Sequence, residues 1–85
     1  MTKTVVRVQT GIRIEKRLLK VLKGIAEHLD ISVGDLVEGI SLHCFENKLP
    51  FSDRTLKKIE QLKAVYELDL VATDSHTLRE LESDQ

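Results

Sequence analysis

Residues 5–14, Val-Val-Arg-Val-Gln-Thr-Gly-Ile-Arg-Ile, alternate with a period of two. Even positions hold Val6, Val8, Thr10, Ile12 and Ile14. Odd positions hold Val5, Arg7, Gln9, Gly11 and Arg13. The alternation predicts one strand with a mainly apolar face and a mainly polar face. No second stretch of comparable quality follows. A solitary strand leaves its backbone N–H and C=O groups without partners, which few folds tolerate. The direct solution is pairing with the same strand of a second chain. An antiparallel pair about a two-fold axis makes an isologous ribbon. Its apolar even face would lie on the helices of both chains, and Arg7, Gln9 and Arg13 would face outward twice over.

From residue 15 the period becomes helical. Leu18, Val21, Leu22, Ile25, Ala26 and Leu29 form one stripe, with Lys16, Arg17, Lys20 and Lys23 off it. Asp30 stands where a left-handed residue is expected to end the helix. Ser32 opens a second helix with the capping pattern Ser32-Val33-Gly34-Asp35. Its stripe is Val33, Leu36, Val37, Ile40 and Cys44, which Phe45 extends. Gly39, inside this helix, suits a close helix crossing. Asn47 to Pro50 end it. Ser52 caps a third helix that runs to about residue 67 on Leu56, Ile59, Leu62 and Tyr66, with Phe51 stapled onto Leu56. The predicted organisation is 1–49 as a dimerising strand–helix–helix unit, 50–68 as the third helix, and 69–85 as an acidic, flexible tail.

At 85 residues the chain has room for one small domain with a thin core, a size at which oligomerisation often supplies the rest. Its single cysteine, Cys44, excludes an internal disulfide framework and fits a reducing compartment, here the cytoplasm. No apolar run is long enough for a membrane span. The formal net charge of −1 conceals a segregated distribution. Residues 1–24 carry seven Lys and Arg against Glu15 alone. Residues 25–46 carry five acids and no Lys or Arg, and residues 67–85 carry six acids against Arg79. A basic head of this kind suggests a polyanion partner.

A two-stranded ribbon fits the DNA major groove, where Arg pairs with guanine and Gln with adenine. Arg7, Gln9 and Arg13 are the candidate base contacts. Lys16 and Arg17, near the strand end, are candidate phosphate contacts. The N–H groups at the start of the second helix, with its dipole, add an anion site.

This order of elements resembles the ribbon–helix–helix family of Arc/MetJ-type repressors. The likeness is carried by Ile12-Arg13-Ile14, Leu18, Leu22, Ile25-Ala26, Leu29, Ile31-Ser32, Leu36, Glu38 and Ile40, within residues 5–46. The resemblance implies a mainly α fold: one N-terminal strand pairing with its dimer mate, two core helices, and here a third C-terminal helix. It implies base readers at Gln9, Gly11 and Arg13, and phosphate contacts at Ser32 and Val33. Gly11 departs from the pattern because it has no side chain to read a base, and Arg7 stands in for it if pairing extends.

The functional expectation is a homodimeric transcription regulator, a repressor that occludes promoter DNA. Two alternatives remain open: an antitoxin whose residues 52–85 bind a toxin protein, and a dimeric assembly module that binds no DNA. His28, His43, Cys44 and His76 show no metal-ligand spacing, and Cys44 belongs to the core stripe. No acid–base or nucleophile set appears, so no catalysis, cofactor or metal is expected.

Overall fold

The computed structural model describes residues 2–81. It contains α1 (Lys16–Leu29), α2 (Val33–Phe45) and α3 (Asp53–Val65), followed by a single 3-10 turn at Ala72–Asp74. Each helix falls within the stretch that its apolar spacing marks out.

Each helix starts on a side-chain cap. The Leu18 N–H donates to Glu15 Oε1 at 2.8 Å, the Asp35 N–H to Ser32 Oγ at 3.0 Å, and the Thr55 N–H to Ser52 Oγ at 3.2 Å. Each bond satisfies one of the donors that a helix start leaves unpaired. The stops share one device as well. Asp30, Asn47 and Glu67 take left-handed backbone angles, with φ of 61°, 58° and 54°. The next residue then reaches back across the last turn: Ile31 N–H to Ala26 O at 3.0 Å, Lys48 to His43 at 2.8 Å, and Leu68 to Lys63 at 2.9 Å. This is the Schellman closure.

The centre is small. Val21, Ile25 and Ala26 of α1 and Leu36 of α2 are buried, with Leu22, Ile31, Ile40, Phe51, Ile59 and Leu62 packed around them. The first helix is the shared partner, since it packs on both α2 and α3. A methyl group at Gly24 would lie 2.8 Å from Leu62 Cδ2, so this glycine lets α1 and α3 approach closely. The close crossing expected at Gly39 is not found: nothing lies within 4 Å of where its Cβ would be. The α1–α3 contact was hidden because Gly24 lies beside the apolar stripe rather than on it.

Two further expectations are corrected. Among the described residues there is no strand, and residues 2–15 form an arm without regular secondary structure. Alternation specifies two faces but supplies no hydrogen-bond partner, and among the described residues no segment pairs its backbone with the arm. The predicted α2 stripe is only partly used. Val33 and Ile40 are half-buried, but Val37 is 40% exposed and Cys44 is exposed, so Cys44 is not a core thiol. After α3, Leu68 packs against the core, and a single 3-10 turn follows at Ala72–Asp74.

The protomer is open. It exposes 7956 Å², whereas a compact chain of 9.7 kDa exposes about 5,100 Å². Its radius of gyration is 14.5 Å, against about 12 Å for a compact chain of this length. The excess sits on the arm, where Val6, Val8 and Ile12 are exposed, and on α2, where Leu42 and Phe45 are exposed.

Candidate nucleic-acid interface

One ion pair ties the arm to α2, although residues 2–14 are all exposed. Arg7 donates to Glu38 through two parallel bonds, Nε to Oε2 at 2.8 Å and Nη2 to Oε1 at 2.9 Å. Bidentate geometry of this kind is the strongest form of an arginine–carboxylate pair. The hydrogen bonds from Arg7 hold the Glu38 carboxyl below the ordinary carboxylate range, and Glu38 in turn raises Arg7. The arm is therefore anchored at residue 7, on the face of α2 that also carries Asp35.

The arm meets α1 at a second cluster. Glu15 caps the helix, and the Leu18 N–H bond together with Arg17 holds its carboxyl below the ordinary range. Arg17 Nε donates to Glu15 Oε2 at 3.2 Å. Its Nη1 donates to Glu67 O at 2.9 Å and lies 3.0 Å from Asp69 Oδ1. Arg13 forms an ion pair with Glu80. The ammonium of Lys20 lies over the Tyr66 ring, 5.7 Å from its centre.

The sequence-predicted contacts thus fall into two groups. Arg13, Lys16 and Arg17 are sequence neighbours at the arm–α1 junction, with Gln9 exposed further along the arm. Among the described residues Lys16 and Lys23 have no acidic partner within ion-pair distance. Arg7, in contrast, faces Glu38. Ser32 and Val33 lie at the start of α2, where the Ser32 hydroxyl already accepts the Asp35 N–H. The Asp35 carboxylate also occupies the first turn of α2, which weakens that helix start as an anion site.

Sequence reading missed Glu38, Asp69 and Glu80 as partners of the arginines. Charge segregation was the signal available for them: a basic head in a chain with two acidic blocks can pair within itself. Among the described residues no three His, Cys, Asp or Glu side chains gather as a metal site, and no helix is long and apolar enough to cross a membrane. No known protein family, curated protein or solved structure matches the chain.

Proposed function

We propose that this chain is a DNA-binding protein that works as a homodimer and regulates transcription by occluding promoter DNA. The observation that carries the reading is the exposed basic surface of the arm and the start of α1. Gln9, Arg13 and Lys16 are exposed, and Arg17 lies between them and α3. The pair that engages Arg13 is solvated, and a solvated ion pair yields readily to a dense polyanion.

The homodimer is supported by what a single copy leaves open. Val6 and Val8 of the arm are 93% and 82% exposed, and Phe45 of α2 is 81% exposed. Apolar patches of this extent mark interaction surfaces. Every copy carries both the arm and the α2 face, so two copies can cover each other's, as an isologous contact requires. The charges would agree, because the basic head of one copy and the acidic 25–46 block of another are of opposite sign.

The internal engagement of Arg7, Arg13 and Arg17 favours one rival reading, a dimer that assembles without DNA. Anisotropy with a random duplex of about 25 base pairs separates the two across about 50–200 mM salt. The DNA reading expects binding that falls steeply with salt, and Lys16→Ala should lower the log–log slope by about one. Absence of binding at the low-salt end sinks it and leaves the assembly module.

A further inference from the structure

The acidic C-terminal stretch returns to the basic head. Leu68, Leu70, Val71 and Leu78 line an apolar groove of about 400 Å³, whose other wall includes Leu22 and Ile59. Of the four, Leu68 packs on the core, while Val71 and Leu78 remain more than half exposed. Along that course, Asp69 reaches Arg17 at 3.0 Å, Glu67 offers its carbonyl to the same guanidinium at 2.9 Å, and Glu80 pairs with Arg13 across sixty-seven residues of sequence. Two of the arginines best placed to meet a phosphate backbone are therefore held by acids of one segment.

We propose that residues 67–80 act as a built-in competitor for nucleic acid, an autoinhibitory strap whose carboxylates occupy the positions that phosphates would take on Arg13 and Arg17. This rests on the DNA-binding reading above and adds its regulation. The Arg13–Glu80 pair is solvated, with side chains 83% and 65% exposed; Arg17 is half-buried at 37% and shared between Glu15 and Asp69, of which Asp69 is 80% exposed. Such pairs bias binding without blocking it. Duplex DNA, with one charge per about 1.7 Å, displaces them once it is engaged. The strap therefore acts chiefly against weak and non-specific polyanion contacts, in which too few phosphates engage to displace both carboxylates.

The test uses the full chain. Asp69→Asn with Glu80→Gln removes both carboxylates without shortening any side chain. Glu27→Gln with Glu60→Gln removes the same charge elsewhere. Binding of each to the random duplex is read by anisotropy at about 50 mM salt, with helical circular dichroism confirming the fold. The strap variant should bind about three- to ten-fold tighter than the native chain, the worth of two exposed ion pairs, while the control gains less than about two-fold. Equal gains in both variants, or none in either, overturn the strap while leaving DNA binding in place. If no form binds, the DNA-binding reading fails and the strap fails with it.

Discussion

Helices α1 and α2 are neighbours of similar length with opposite fates. The first is the more charged, yet it buries Val21, Ile25 and Ala26 between two partners. The second is the more apolar, yet it buries Leu36 alone and leaves Val37, Leu42 and Phe45 in water. Apolar spacing therefore specifies which face of a helix is to be covered, and it is silent about what covers it. In α1 the cover comes from the same chain. For α2 the chain covers Leu36 and leaves these three residues exposed.

The sharpest way to break this contrast is to truncate one residue on each helix. Ile25→Ala empties a buried site and should cost about 3 kcal/mol in urea unfolding. Val37→Ala on an uncovered face should cost less than about 0.5 kcal/mol in a dilute protomer. If the cost at Val37 instead rises with protein concentration, the face is covered by a second copy, because dimer stability follows mass action.

A smaller effect distinguishes the two helices through their glycines. In a helix interior Ala is favoured over Gly by about 1 kcal/mol. Gly39→Ala meets open space and should gain about that much in a urea midpoint. Gly24→Ala drives a methyl group onto Leu62, so it should fall short of that gain or become a net loss. Equal gains at both positions would show that Leu62 moves aside freely.

The smallest expected effect is the response to acid. The carboxyls of Glu15 and Glu38 are both held below their ordinary range. A group depressed in the folded state adds stability above its unfolded pKa, about 4.3 for Glu, and loses it as the pH falls through the depressed value. Lowering the pH from 6 towards 3 should therefore loosen the start of α1, read as a modest loss of helical signal, and release the arm from α2, read as faster proteolysis at residues 2–15. Glu38→Gln should remove the part of that response which involves the arm, leaving the part that belongs to Glu15.

Helix positions, two of the three caps and the left-handed stop at Asp30 were legible in the sequence because each depends on residues within a turn of one another. Ser32 and Ser52 stand where their helices begin. Asp30 is followed by Ile31, an apolar residue suited to the space behind a left-handed stop. The arm was misread as a strand because alternation is a property of side chains, whereas a strand is a property of paired backbones. The ion pairs of the candidate site were illegible for a related reason. Arg7–Glu38 and Arg13–Glu80 span thirty-one and sixty-seven residues, and no local pattern carries information over that distance. Only the block distribution of charge hinted at them.

The helix stops have a consequence for how much room the sequence has to change. Glu67 holds a backbone shape that costs an ordinary L-residue roughly 1–2 kcal/mol and glycine nothing, whereas Asp30 and Asn47 are of the types that enter it most readily. The unrealised stability therefore lies mainly at the end of α3. A lineage carrying this chain could recover part of a loss elsewhere by placing glycine at position 67, whose backbone carbonyl would still accept from Arg17.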